Sequence, residues 1–408
     1  MSRRARRALA VGAVVALVPV AACTQHHEGD GTPLVIGYVA ARAGFGAIAD
    51  VDGVDGAQFE VDRINRSGGI AGHPVELIVE DIGPDLSRSG DVAAALIARG
   101  AQVLLGPPFP DEGRGAIEVA AAAGIPMLSV TSTQPSFVDG HEGQTFLTTF
   151  GDNAQGAAAA QYAYGTGART AVTITSPDVP SYTDLVPRYF ADTFVQRGGL
   201  LVGTYDVHLA QPDFDAAAAT IAALDPPPDV VYTTIFPPDL AALLHALRTA
   251  GYSGAVYSSD ASDNAGVFAV DPADADGLVV TTHGFPQRPR STLLFAPRTA
   301  ASRVAEFVDA FTHSTGHAPA AVGLAALGAD SIDIIRAAVE HAGGSTAPAD
   351  IAAGIASLDG VTVTTGRVTY AGQHGIPRKA VYIIEARDGA FHLRSVVEPT
   401  DVPQPYDT

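Results

Sequence analysis

Ser129, Thr131 and Thr133 form a hydroxyl-rich stretch directly after an apolar run, and Tyr182, Phe236 and Asp260 each stand just beyond another such run. Phe109-Pro110-Asp111 opens a helical segment after a further one. In an open α/β lobe a ligand sits beyond the carboxyl ends of the strands, which is where these residues stand. Taken singly, Thr131 and Thr133 read equally well as turn formers, Asp260 as a cap before Ala261, and Phe236 as core. Catalytic patterns are weak or missing. Gly44-Phe45-Gly46-Ala47-Ile48-Ala49 has the spacing of a dinucleotide loop, yet it starts five residues past its strand. The acids Glu80 and Asp81 also lie far beyond the ~20-residue spacing that such a loop requires. His313-Ser314-Thr315-Gly316-His317 lacks the glutamate of a helical zinc site, and neither a P-loop nor Gly-x-Ser-x-Gly occurs. The sequence therefore predicts no enzyme, no cofactor and no metal.

The chain has 408 residues and a formal charge of −20. Such acidity argues against nucleic acid as a partner, because affinity for phosphates rests on Lys and Arg displacing counterions. Residues 1–22 combine four arginines, an apolar stretch from Ala8 to Val18 and small residues before Cys23. That is a secretory signal peptide, too short for a membrane span. Val20-Ala21-Ala22-Cys23 resembles the lipobox of bacterial lipoproteins, and Cys23 is the only cysteine in the chain. The expected product is exported and held on the outer face of the cell membrane by lipid on Cys23, with no disulfide. Arg3-Arg4 leaves the export route open between the general and twin-arginine pathways. Removing residues 1–22 takes four arginines and no acids, moving the formal charge from −20 to −24. Residues 23–33 are polar and Gly-rich and read as a flexible tether in which His26-His27 is solvated.

From Leu34 onward short β-branched runs alternate with Ala-rich helical stretches. Strands are predicted over 34–39, 75–80, 103–106 and 126–130, with helices over 53–65, 91–99 and 113–123 between and after them. The pattern restarts beyond Gly151, with helices over 155–165, 185–197, 214–224 and 240–250 and strands over 170–174, 200–205, 230–233 and 255–258. Strict alternation of this kind implies parallel sheets covered by helices, so the fold class is α/β with two Rossmann-like lobes. Helices over 299–313 and 323–341 follow the second lobe. A terminal hairpin is expected from Gly366–Tyr370 and Ala380–Ile384, with Gly372-Gln373-His374-Gly375 as its turn.

These segments resemble the periplasmic branched-chain amino-acid binding proteins of ABC importers, the type I solute-binding family. The resemblance rests on Gly56-Ala57-Gln58, on Ile64-Asn65-Arg66-Ser67-Gly68-Gly69-Ile70-Ala71-Gly72, on Gly151-Asp152-Asn153-Ala154-Gln155-Gly156, on Tyr182, and on Gly366, Tyr370 and Gly375. It covers residues 34–395. It implies a first lobe of 34–152 plus 284–363, a second of 153–283 plus 364–400, a tail of 401–408, and a ligand cleft between the lobes. Hinges are implied at Gly151-Asp152, His283-Gly284 and Thr365-Gly366. The resemblance further implies a monomer that closes over an amino acid or amide and hands it to an ABC permease and its ATPase.

In that family, hydroxyls and amides of two loops hold the ligand's carboxylate, an acid holds its ammonium, and aromatics cover it. The resemblance carries the carboxylate-binding role to Thr131 and Thr133 in the Ser129–Thr133 loop, the ammonium-binding role to Asp260 and the covering role to Tyr182 and to Phe236, which lacks the family's hydroxyl; Phe109-Pro110-Asp111 stands at the first loop, and Phe45 is a further wall. One departure stands out: Pro110 falls where the family has a serine, followed by Asp111 and Glu112. Proline offers no N–H, and an acid at a helix start takes the free N–H groups for itself. The ligand expected from this departure extends to a neutral amide or a cation. A sensory module of the same fold, signalling to a receptor, and a scaffold without ligand remain open beside transport.

Overall fold

The computed structural model describes residues 31–44, 46–210, 214–287 and 299–406, without the side chains of Leu86, Asp111 and Glu112. The signal peptide, Cys23 and Phe45 lie outside the described residues. In the first lobe β1 (Leu34–Ala40), β2 (Val75–Asp81), β3 (Val103–Leu105), β4 (Met127–Ser129) and β5 (Thr145–Leu147) form a parallel sheet in the order β2-β1-β3-β4-β5. Helices α1 (Ala47–Arg66), α2 (Ser89–Ala98) and α3 (Pro110–Ala122) connect β1 to β4. Leu34, Ile36, Tyr38 and Val39 are fully buried, as a strand covered on both faces by crossover helices requires.

The second lobe runs α4 (Asp152–Gly165), β6 (Thr170–Thr175), α5 (Leu185–Gln196), β7 (Leu200–Asp206), α6 (Asp215–Ala222), β8 (Val230–Thr233), α7 (Asp239–Thr249), β9 (Ala255–Ser258) and β10 (Leu278–Thr282). The chain then returns to the first lobe as α8 (Ala300–Thr315), α9 (Val322–His341), α10 (Pro348–Ser357) and the hairpin of β11 (Val361–Val363) and β12 (Gly366–Val368). It crosses back as β13 (Val381–Arg387) and β14 (Ala390–Val397), which complete a seven-stranded sheet ordered β14-β13-β10-β9-β8-β6-β7. Ligand sites in such sheets lie beyond the carboxyl ends of the strands.

The glycines of the motif segments have specific steric duties. A Cβ on Gly56 would stand 1.9 Å from the Ala325 carbonyl oxygen, and one on Gly328 would stand 2.0 Å from that of Gly53, so α1 and α9 touch backbone to backbone. After Arg66 the Gly69 amide bonds back to the Ile64 carbonyl and the Gly68 amide to that of Asn65, the pattern of a left-handed helix stop. Gly68 and Gly69 have φ of +101° and +81° there, and Ile70 is fully buried as the chain turns toward β2.

The end of the chain corrects two expectations. Gly366–Val368 pair with Val361–Val363 and not with residues 380–384, and β13 pairs with β14; between the two predicted halves only the Thr369–Arg378 bridge forms. Val368 and Tyr370 belong to the first lobe's core, so the chain does not leave that lobe at 363, and Gly366 sits in a hairpin instead of a crossing. The Tyr370 hydroxyl bonds the Leu147 carbonyl at 2.6 Å, and the Leu147 amide bonds the Gly375 carbonyl at 2.9 Å, pinning this segment beside β5. The crossing comes at Lys379-Ala380. Residues 401–406 pack against the second lobe: Tyr406 stacks on Tyr189 with centroids 4.7 Å apart, and the Pro403 carbonyl accepts from Asn153.

Candidate functional site

From the first lobe, the ends of β3 and β4 and the crossing after β5 converge. Phe109 is extended (φ −128°, ψ 123°) and Pro110 takes the first position of α3, where its missing N–H costs the helix nothing. Pro110 is buried and Phe109 half-buried. Beyond β4, Ser129 Oγ accepts the Ser132 amide at 2.9 Å and so shapes the turn. Thr131 is buried with its hydroxyl unpartnered, while the Thr133 carbonyl accepts the Asp152 amide at 2.8 Å. Gln134 reaches across to the second lobe, its Nε2 donating to Ser181 Oγ at 2.8 Å and its Oε1 left without a partner.

From the second lobe, Tyr182 comes on a wide helical turn (Pro180–Asp184) after β6, Phe236 follows β8, Asp260 follows β9, and His283 follows β10. Tyr182 and Phe236 stack with centroids 5.5 Å apart. The Tyr182 hydroxyl donates to Asp260 Oδ1 at 2.6 Å, and His283 Nε2 lies 2.9 Å from Oδ2. Behind them Gln155 Nε2 donates to Asp152 Oδ1 at 2.8 Å, while its Oε1 accepts the Thr281 hydroxyl and the Asp260 amide. Phe150 stacks on the His283 ring at 4.0 Å. The structure thus brings Thr133, Tyr182, Phe236 and Asp260 together with Asp152 and His283, which the sequence suggested only as hinges, whereas Thr131 is buried with its methyl toward Gly53 of α1 in the first lobe.

Burial drives the electrostatics. It pushes the Asp152 carboxyl up to about 7, assisted by the charge of Asp260 and opposed by Thr133 and Gln155. On Asp260 burial acts in the same upward direction, but hydrogen bonds from His283 and Tyr182, with the His283 charge, win and hold it below the ordinary carboxylate value. Burial likewise depresses His283 against the pull of Asp260. His283 Nε2 is engaged with Asp260, while its Nδ1 is buried with no hydrogen-bond partner. Asp263, whose Oδ2 accepts the Thr282 hydroxyl, is raised by burial to about 6. Among the described residues no group of three His, Cys, Asp or Glu side chains is placed to hold a metal.

Sequence reasoning missed Gln134, Gln155, Phe150 and Tyr232, whose fully buried hydroxyl is unpartnered and feels the charges of Asp152 and Asp260. Gln155 lay inside a quoted motif, but a polar residue on an Ala-rich helix shows its burial only in three dimensions. A surface hollow of about 690 Å³, lined by Phe285, Gln287, Asp309, Arg387 and Arg394, lies elsewhere against β14.

Two lobes of largely parallel sheet, a chain that crosses between them three times and a polar set between them define a solute-binding architecture. The model of the family "Periplasmic binding protein" matches residues 33–390, and the chain belongs to that family. It is 24% identical over 337 residues to the Leu/Ile/Val-binding protein BraC3 of Rhizobium johnstonii, covering 83% of this chain and 87% of that one. Two solved structures share the fold, each with a TM-score of 0.74. The leucine-binding protein LivK of Thermotoga maritima is 23% identical and covers 90% of this chain and 99% of its own. The branched-chain amino-acid substrate-binding protein LivJ of Streptococcus pneumoniae, solved with isoleucine, is 21% identical and covers 90% of this chain and all of its own.

Proposed function

We propose that this protein captures a small polar solute between its lobes and delivers it to an ABC permease and its ATPase, acting as a monomer without catalysis. The observation that carries this reading is the interlobe face itself. Gln134 of the first lobe bridges to Ser181 of the second, beside Tyr182 and Asp260, while Tyr232 and Gln134 keep buried polar atoms unpartnered. Unpaired buried polar groups cost about 1–3 kcal/mol each, and a ligand that pairs them recovers that cost. The relatives named for leucine, isoleucine and valine support a ligand of amino-acid size. Asp152 at the first crossing and His283-Gly284 at the second stand where a hinge rotation would be absorbed, and Lys379-Ala380 supplies the third strand. The Cys23 lipobox supports anchoring by lipid on the extracytoplasmic side. Among the described residues no helix is long and apolar enough to cross a membrane.

Calorimetric titration of the purified full chain, stripped by unfolding and refolding, against amino acids, amides, urea and polyamines tests the reading. Saturable binding with one site per chain is expected. Absence of heat from the panel, together with no rise in melting temperature for any solute of a wider set, would sink it.

A further inference from the structure

Gln134 joins the lobes away from the chain crossings. Its Nε2 donates to Ser181 Oγ at 2.8 Å, and neither residue belongs to Gly151-Asp152, His283-Gly284 or Lys379-Ala380. Both partners are held from behind. On the first-lobe side Pro135 keeps Gln134 extended (φ −72°, ψ 120°), the Gln134 amide donates to Ser132 Oγ at 3.3 Å, and the short turn Pro135–Phe137 sinks Phe137 into the core. On the second-lobe side Ser181 lies in the turn Pro180–Asp184. There the Tyr182 and Thr183 amides bond the Val179 carbonyl at 3.0 and 2.8 Å, and the Thr183 hydroxyl bonds the Ser176 carbonyl at 2.7 Å. The two segments face each other beyond this one bond, since the charge of Asp139 acts on Tyr189 of α5. Gln134 is only 5% exposed, so little water competes for its amide.

Two firmly held segments on opposite lobes keep a bond of this length in one relative orientation of the lobes, and a rotation at the crossings that parts the cleft parts the bond as well. Both groups belong to the protein, so the bond forms without a solute. It lands beside Tyr182, whose hydroxyl donates to Asp260 at 2.6 Å. Resting on the solute-capture reading, we infer that Gln134 and Ser181 form a latch that holds the lobes together in the solute-free chain. A neutral hydrogen bond of this kind changes the closed-to-open ratio by a factor of about 2–10. Such a latch slows entry and release of the solute alike.

Small-angle X-ray scattering from the stripped full chain, with no solute added, tests the latch on matched variants. Gln134→Met keeps length and burial but has no donor, Ser181→Ala removes the acceptor, and Ser181→Thr keeps a hydroxyl. Gln134→Met and Ser181→Ala are each expected to enlarge the radius of gyration, through a loss of about 2–10-fold in the closed-to-open ratio. The double variant Gln134→Met/Ser181→Ala should open no further than either single one, and Ser181→Thr should match the wild type. Melting temperatures should stay together, because neither side chain belongs to a lobe's hydrophobic core. Unchanged radii in both single variants overturn the inference. So does a double variant that opens by the sum of the two single effects, or a Ser181→Thr variant as open as Ser181→Ala. Because no solute is present, each of these outcomes leaves solute capture standing, and capture falls only on the titration.

Discussion

Two buried polar clusters, one around Lys379 and Asp330 and one around Asp260, are built on opposite principles. At the third crossing Lys379 and Asp330 are both within 1% of full burial, and every strong group has a partner. Lys379 Nζ donates to Asp330 Oδ2 at 3.0 Å and to the Thr148 carbonyl at 3.1 Å, Thr365 donates to Asp330 through amide and hydroxyl, and Tyr382 bonds the Thr365 carbonyl at 2.9 Å. Around Asp260 the network is half-finished: Asp152 Oδ2, Ser259 Oγ, Tyr232 Oη and His283 Nδ1 are buried with no hydrogen-bond partner. A completed network fixes geometry, whereas an incomplete one holds free energy that a ligand can release. The first cluster belongs to folding and the second to binding.

Breaking the completed cluster has the largest expected effect. Lys379→Met strands Asp330 as an unpaired buried charge, and urea unfolding should show a loss of about 3–5 kcal/mol. The double variant Lys379→Met/Asp330→Leu should recover much of it, since two apolar groups leave no orphan charge. A loss below about 1 kcal/mol in the single variant would mean the pair is not holding the crossing. Next comes the α1–α9 contact, where Gly56→Ala drives a methyl into the Ala325 carbonyl. Backbone cannot swing aside as a side chain does, so a cost of at least about 1–3 kcal/mol is expected in the same assay. A neutral result would show that α1 can slide.

The same treatment of the incomplete cluster should give the contrary result. Asp260→Asn keeps the shape of the side chain and an oxygen for the Tyr182 hydroxyl, so stability should move by no more than about 1 kcal/mol in either direction while solute binding is lost. If the variant unfolds as readily as Lys379→Met, Asp260 is a structural residue and the contrast between the clusters disappears.

The contrast also explains what was legible in the sequence. Periodicity and turn glycines disclosed the βαβ alternation, because a strand buried on both faces must read as a continuous apolar run such as Leu34–Val39 and a helix stop needs Gly68-Gly69. Three-residue strands such as Thr145–Leu147 and Val361–Val363 are too short to carry a period, and with β11 unseen, β12 was assigned to the wrong partner. At the site, Thr133, Tyr182 and Asp260 stand at strand ends, and it is the family resemblance that singles them out. His283 was visible only as a hinge, since its role depends on Asp260 lying 23 residues away in sequence and 2.9 Å away in space. Gln134 and Gln155 gave no signal, because glutamine is usually solvated and only the closed lobes bury these two. Asp111, on which the departure from the family pattern turned, has its side chain outside the described residues.

The smallest effect is a pH dependence that reads the charge of the incomplete cluster directly. Asp152 is raised from 3.8 to about 7, so the folded chain keeps a proton that the unfolded chain releases above pH 4. Its contribution to stability is complete below that unfolded value and is lost as pH rises toward 7, the reverse of a salt-bridged carboxylate. Asp50, raised by burial to about 7, and Asp333, raised by burial to about 8, tilt the whole protein the same way, so the wild type alone does not isolate the site. Asp152→Asn does, because Asn keeps an oxygen for Gln155 and has no proton to lose. Between pH 6 and pH 7 the wild type should lose about 1 kcal/mol more than the variant in urea unfolding. Since the charge of Asp260 helps to raise Asp152, the difference should shrink in an Asp260→Asn background. Parallel stability curves for wild type and Asp152→Asn would show that Asp152 is ionised throughout, and that the buried acids of this cleft do not sense one another.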